Sequence, residues 1–189
     1  MRFKSDDKSL KGGSNSASPK WRKEFGLRKP ELSDGAKIFA LVESCKPLDK
    51  NSVYSYLLLC HHFADTCAVA EFDGEIVAFL SGYRPPDREE VFFVWQVAVD
   101  PKMRSQGLGK RLLHEVLRRT AVKGCRFLET TITPSNEASQ RLFSSLARDL
   151  EARFTVASCF SEEHFGHENH EAEHLFRIGP FSLETVILS

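Results

Sequence analysis

A strand, a glycine turn and an amphipathic helix follow one another directly between residues 91 and 122, and this unit limits the possible folds more than any other stretch. Val91 to Val99 is an apolar run rich in valine and aromatic residues. Arg104-Ser105-Gln106-Gly107-Leu108-Gly109 comes next, and Leu108 to Val122 then sets Leu108, Leu112, Leu113, Val116 and Leu117 on one face against Lys110, Arg111, Glu115, Arg118 and Arg119 on the other. A helix leaving a strand in this way crosses over to another strand, and Phe127 to Thr133, alternating enough to be half buried, supplies it. Gly107 and Gly109 remove side chains that would keep an anion off the backbone, Arg104 adds positive charge, and the first amides of the helix would face a pyrophosphate. The stretch lacks the Lys-Ser or Lys-Thr ending of a P-loop and the third glycine of the dinucleotide fingerprint. An ordinary tight turn is the competing reading.

Elements on either side extend this unit into a sheet. Residues 1 to 24 mix Lys, Ser, Asp, Gly and Asn without periodicity and read as a disordered leader. Order is expected from Phe25 with a short strand, then a helix capped by Ser33 with Ile38, Leu41, Val42 and Cys45 on one face. Pro47 breaks it, Leu48 to Asn51 forms a junction, and Ser52 caps a second helix through Tyr54, Leu57, Leu58 and Phe63. Thr66 to Phe72 and Glu75 to Arg84 read as a hairpin closed by Asp73-Gly74, with Pro85-Pro86-Asp87 returning the chain to Val91. After Phe127 to Thr133, Pro134-Ser135-Asn136 opens a helix with Ala138, Leu142, Phe143 and Leu146 inward. Phe154 to Val156 and Leu175 to Ile178 are late strands around a polar, histidine-rich segment, Cys159 to His174. The sum is an α/β fold: a mixed sheet with helices on both faces.

Composition narrows the partners. At 189 residues and 41% hydrophobic content the chain suits one domain, and 26 basic residues balance 26 acidic ones, which favours a small molecule over nucleic acid or an anionic membrane. No apolar run is long enough to span a bilayer or to serve as a signal peptide, so a cytoplasmic protein is expected. Cys45, Cys60, Cys67, Cys125 and Cys159 lack CxxC spacing and read as buried free thiols. His164, His167, His170 and His174 have ligand-like spacing, but without a second cluster a solvated loop is preferred and no metal is expected.

The glycine loop after the fourth strand resembles the acyl-CoA loop of the GNAT N-acetyltransferases. Longer runs carry a narrower likeness: Pro47-Leu48-Asp49, Asn51-Ser52, Leu57-Leu58-Leu59-Cys60, Ser81-Gly82-Tyr83-Arg84-Pro85-Pro86-Asp87, Phe93-Val94-Trp95-Gln96-Val97-Ala98-Val99 and Phe176-Arg177-Ile178-Gly179-Pro180-Phe181 resemble the L-2,4-diaminobutyrate acetyltransferases of ectoine synthesis. The resemblance implies a GNAT domain over 25–181 with a mostly antiparallel sheet, a tail at 182–189, a homodimer and a role in osmotic stress. It also implies acetyl-CoA as cosubstrate and N4-acetylation of L-2,4-diaminobutyrate by direct amine attack in a ternary complex. Another small diamine as substrate, or a non-catalytic acyl-CoA sensor, is the alternative.

On that footing the site residues divide by duty. Arg104, Ser105, Gln106, Gly107, Leu108, Gly109 and Lys110 would hold the pyrophosphate. The backbone of Val97, Ala98 and Val99 would pair with the pantetheine arm, where a bulge would free an amide to polarise the thioester oxygen. Asn136 and Ser139 match the pantetheine-contacting helix start, and Asn136 also suits plain capping. Asp49 is the leading substrate carboxylate, and Trp95 either packs on the substrate cation or fills the core. Tyr54 and Arg84 serve the substrate, Arg84 at its carboxylate, or are structural. An alkyl ammonium of pKa about 10 needs a base before it can attack, and His170 and Glu173 are the candidates. Phe143 stands where many GNAT enzymes place a tyrosine acid.

Overall fold

A computed structural model describes residues 24–46, 48–166 and 170–182. The leader before Glu24, the helix-breaking Pro47, His167 and the tail after Ser182 lie outside the described residues.

Among the described residues seven strands form one sheet: β1 (Gly26–Arg28), β2 (Ala68–Phe72), β3 (Glu75–Tyr83), β4 (Val91–Val99), β5 (Phe127–Ile132), β6 (Phe154–Phe160) and β7 (Glu173–Ile178), in the order β1-β2-β3-β4-β5-β7-β6. Every neighbouring pair is antiparallel except β4 with β5, joined by the crossover helix α3 (Leu108–Leu117). That crossover is what the apolar stripe of α3 requires, since Leu112, Leu113 and Val116 are completely buried and α3 packs on β2, β3 and β4. The stripe ends earlier than its sequence suggests: α3 stops at Leu117, and Thr120–Val122 forms a separate 3-10 turn.

Helices cover both faces. On one side α3 packs with α4 (Glu137–Asp149) over Leu80, Val94, Leu128 and Ile178. On the other, α1 (Gly35–Ser44) and α2 (Val53–His62) bury Ile38, Val42, Tyr56 and Leu59 against Val69, Phe79 and Ala98. One expectation about this second layer changes. The chain enters α1 through a 3-10 turn, Leu32–Asp34, and the cap position belongs to Asp34 instead of Ser33. The Asp34 carboxylate accepts from the Glu31 amide (2.8 Å) and from Arg28 (2.6 and 3.0 Å), so the acid is held by its neighbours from below. In α2 the inward face is Tyr56, Leu59 and Cys60, while Tyr54 is 67% exposed. Both faces of this helix are apolar enough to be the buried one, so periodicity alone does not choose.

The local signals hold. Ser52 accepts from the Ser55 amide (3.3 Å) and Asn136 from the Ser139 amide (3.1 Å), and Asp73 and Gly74 both take positive φ (52° and 79°), as a type I′ hairpin turn needs. Strands β6 and β7 run longer than the sequence pattern, because β6 is an edge strand whose outward positions lack alternation. Of the five cysteines four are buried and Cys159 is exposed, which corrects the reading of all five as interior. Burial pushes the Cys60 thiol up to about 11 and that of Cys67 up to about 12.

Ser81 pairs with Gln96 and Gly82 with Val94, so Trp95 is the extra residue of a bulge in β4. Gly82 makes this possible, since a Cβ there would lie 2.6 Å from the Phe92 ring and 2.7 Å from the Phe93 carbonyl oxygen. Gly82→Ala is expected to lower the unfolding free energy by about 1–3 kcal/mol, read as an earlier urea midpoint with an unchanged slope.

Candidate active site

Strands β4 and β5 pair only over Val91–Phe93 and Phe127–Glu129 and then part. The gap opens into a cavity of about 750 Å³ that crosses the sheet. Val97 of β4 lines it, whereas Ala98 and Val99 do not; the Asp100 amide donates to Val77 on the β3 side (2.9 Å), so by the two-residue alternation Val97 and Val99 turn their amides and carbonyls away from β3. The Val99 carbonyl accepts from Arg104 Nε at 3.3 Å. Ala98 turns its side chain the opposite way, fully buried beneath α1 and α2.

Asn136 and Ser139 line the cavity where α4 begins, with Phe143 one turn further on and only 2% exposed. Residues 104–109 lie beside this end without lining the cavity. Ser105 and Gly107 take positive φ (63° and 72°), and Gly107 caps α3 with no side chain over the first amides. Gly109 is needed for packing, since a Cβ would sit 3.2 Å from Leu142 and 3.4 Å from Val97, and Leu108 is buried. Gln106 is exposed and its amide reaches the Met103 sulfur. Lys110 turns from the loop to α4, where Nζ meets Asp149 (3.0 Å) and Ser145 (3.1 Å).

The opposite side of the sheet is acidic. Asp49, on the loop between α1 and α2, lies 3.3 Å from His170 Nε2. His170 Nδ1 meets the Glu171 carbonyl at 2.7 Å, and the ring stacks on Phe165 at 4.0 Å. That carbonyl, followed by the Asp49 carboxylate acting against burial, holds the imidazole above its ordinary pKa. Glu171 accepts from the amide and hydroxyl of Ser135, tying the β6–β7 connection to the start of α4. Glu173 opens β7 beside Thr131, with one carboxylate oxygen, Oε2, buried and unpartnered among the described residues. Burial lifts this carboxyl above the usual glutamate range, with Asp49 and Glu171 adding repulsion and Thr131 and His170 opposing. Trp95 is 43% exposed at the cavity wall.

A cavity with main-chain groups on one side and ionisable side chains on the other suits two chemically different ligands. The model of the acetyltransferase (GNAT) family matches residues 36–147. An L-2,4-diaminobutyric acid acetyltransferase of Marinococcus halophilus is 47% identical over 154 residues, covering 82% of this chain and 89% of its own. One from Chromohalobacter salexigens is 48% identical, covering 87% and 86%. The chain belongs to the L-2,4-diaminobutyric acid acetyltransferases of the GNAT family. Diaminobutyrate acetyltransferase EctA from Paenibacillus lautus, solved with L-2,4-diaminobutyric acid and coenzyme A, superposes with a TM-score of 0.83 at 43% identity, covering 85% of this chain and 98% of that one. An N-acetyltransferase from Staphylococcus aureus Mu50, 16% identical with a TM-score of 0.62, shares the fold.

Within this acetyltransferase the structure brings Asp49, Trp95, Val97, Asn136, Ser139, His170 and Glu173 to one cavity. Tyr54 and Arg84 are not among its lining, and Arg84 spends Nε and Nη2 on the Glu89 carbonyl. Sequence reasoning passed over Gln96, Arg88, Glu129 and Thr131. Gln96 Nε2 donates to the Asp49 carbonyl (2.9 Å) while Oε1 accepts from buried Tyr56 (3.3 Å). A glutamine inside an apolar strand and a glutamate inside a half-buried one were the signals available. Among the described residues no three His, Cys, Asp or Glu side chains converge as a metal site.

Glu173 yields a stability prediction. Its folded pKa is raised above the unfolded value, near 4.3, so stability present below that value is lost as pH climbs through the folded one. Glu173→Gln is expected to melt with the wild type at pH about 4 and above it at pH about 8, as read by thermal melts at both pH values.

Proposed function

We propose that this chain transfers the acetyl group of acetyl-CoA to N4 of L-2,4-diaminobutyrate, within a single domain over residues 25–181. The observation that carries the reading is the cavity at the β4–β5 gap, open to main-chain groups and Asn136 on one side and to Asp49, His170 and Glu173 on the other. The ligands named for the Paenibacillus lautus structure, the diamino acid and coenzyme A, match those two sides in chemistry.

In this mechanism the first turn of α3 and the Arg104 loop take the pyrophosphate, and the free edge of β4 takes the pantetheine arm as a strand would. The reacting carbonyl then sits at the bulge, where an unpaired amide polarises its oxygen. The diamino acid enters from the Asp49 side with Trp95 along its ammonium. Glu173 accepts the N4 proton: its unpartnered oxygen offers a basic site, and its raised pKa makes it a stronger base than an ordinary carboxylate. His170, whose pKa the Glu171 carbonyl and Asp49 hold above its ordinary value, offsets part of the site's acidic charge. Nitrogen forms its bond to the acetyl carbon, the tetrahedral oxygen collapses, the C–S bond breaks, and the nitrogen sheds its second proton to the leaving thiolate or to solvent. Coenzyme A leaves as thiolate past Phe143, which has no proton to give, so the thiolate takes one from solvent or from the proton just removed.

The product belongs upstream of a cyclising synthase in ectoine synthesis, a cytoplasmic response to osmotic stress. No helix among the described residues is long and apolar enough to cross a membrane. A homodimer is part of the same proposal, supported by the open edge strand β6, where Val156 is 52% and Phe160 46% exposed.

Thiol release from acetyl-CoA with L-2,4-diaminobutyrate, with the acetyl position read by NMR, tests the reading. N4-acetylated product is expected, and acetyl-CoA binding without thiol release would make the chain a sensor instead. Glu173→Gln is expected to lower kcat about 10²–10⁴-fold, to leave KM for acetyl-CoA unchanged and to remove the acidic limb of the pH–rate profile.

A further inference from the structure

The mechanism leaves the carboxylate end of the substrate without a partner, and the arginine that sequence reasoning offered, Arg84, lies outside the cavity lining with its guanidinium on the Glu89 carbonyl. Resting on the function proposed above, we propose that Arg88 binds the α-carboxylate of the amino acid substrate and that buried Glu129, braced by Arg177, is the positioning residue that aims it.

Charge is the first argument. Among the described residues lining the cavity, Arg88 is the single lysine or arginine, against Asp49, Glu129, Glu171 and Glu173. Glu129 is fully buried and divides its oxygens between two guanidiniums: Oε2 accepts from Arg88 Nη1 at 2.7 Å and Oε1 from Arg177 Nη1 at 2.6 Å. One carboxylate held by two guanidiniums leaves a surplus positive charge. Arg177 does not line the cavity, and its guanidinium lies over the Phe127 ring at 3.9 Å, so toward the cavity the surplus comes from the other arginine. It is presented by Arg88, whose side chain is 43% exposed.

Geometry is the second. Glu129 is the β5 residue paired with Phe93, the last pair before β4 and β5 part, so Arg88 is fixed at the apex of the gap. The guanidinium fork carries five N–H donors, and one nitrogen engaged with Glu129 leaves enough to grip a second carboxylate from the open side. Asp49, His170 and Glu173 line the same cavity, with Asp49 and His170 in contact. A molecule with a carboxylate at one end and ammonium groups at the other is therefore held lengthwise, with its orientation set by charge at both ends. A simple diamine satisfies only the acidic residues.

The test compares the KM of L-2,4-diaminobutyrate with the competitive Ki of propane-1,3-diamine, which keeps both ammonium groups and lacks the carboxylate. Arg88→Gln is expected to raise the KM of the amino acid about 10–100-fold and to leave the diamine Ki within about threefold. Arg88→Lys, charged but unable to fork, is expected to fall between. The glutamine keeps a donor for Glu129 and the lysine keeps the charge, so if one variant fails to fold the KM to Ki ratio of the other still decides. A ratio unchanged in the folded variants, whether both constants move together or neither moves, overturns the role of Arg88. A wild-type chain that releases no thiol with L-2,4-diaminobutyrate overturns the function proposed above as well, an outcome distinct from unchanged KM in a working variant.

Discussion

The structure turns on the point where two parallel strands stop pairing. Beyond Phe93 and Glu129 the ladder between β4 and β5 has no further rungs, and a sheet that parts in its middle leaves main-chain donors and acceptors that must find partners. The protein stabilises that opening from below with Glu129, whose buried carboxylate is neutralised from both sides by Arg88 and Arg177. Removing either guanidinium would leave the buried carboxylate with one partner fewer, a smaller defect than the breaking of a wholly buried pair because both arginines are partly exposed and one would remain. Above the clamp, the bulge at Trp95 turns β4 further from β5 and Gly82 accepts the aromatic ring that the bulge presses against it.

Much of this was legible in the sequence wherever one short segment determines the outcome. The Asp73-Gly74 turn, the Ser52 and Asn136 caps and the strand, glycine loop and helix from Val91 onward depend on neighbours within a few residues. What stayed hidden depends on distance along the chain. Nothing near Glu129 in sequence announces that residues 88 and 177 converge on it, and nothing in Cys159 to His174 reveals that Glu173 already lies in a strand. The inward face of α2 stays open in the sequence for a different reason: Tyr54 and Tyr56 are two residues apart in a run apolar on nearly every side, and the packing of Phe39 and Phe79 around Tyr56 decides between them.

The site residues show the same division. Asp49 and His170 are 121 positions apart and meet across the cavity mouth, and they were reached through a resemblance that covered both segments. Gln96 needed the fold: its side chain links the core, through Tyr56, to the Asp49 main chain, so the position of an exposed loop is set by a fully buried hydroxyl. Arg84 and Arg88 lie on the same short connection, and only the path of that connection separates the arginine that braces the turn from the one that meets the cavity.

The two sides of the cavity are written in different materials. The side assigned to the cofactor is made mostly of backbone groups, helix amides and glycines that stand aside, with Arg104 and Asn136 beside them, whereas the side assigned to the substrate is made of side chains from separate segments. Backbone hydrogen bonding survives nearly any substitution that preserves the fold, while side chains can be exchanged singly. A lineage built this way can keep one acyl donor indefinitely and try new acceptors one residue at a time, its choice of amine evolving without renegotiating its grip on the thioester.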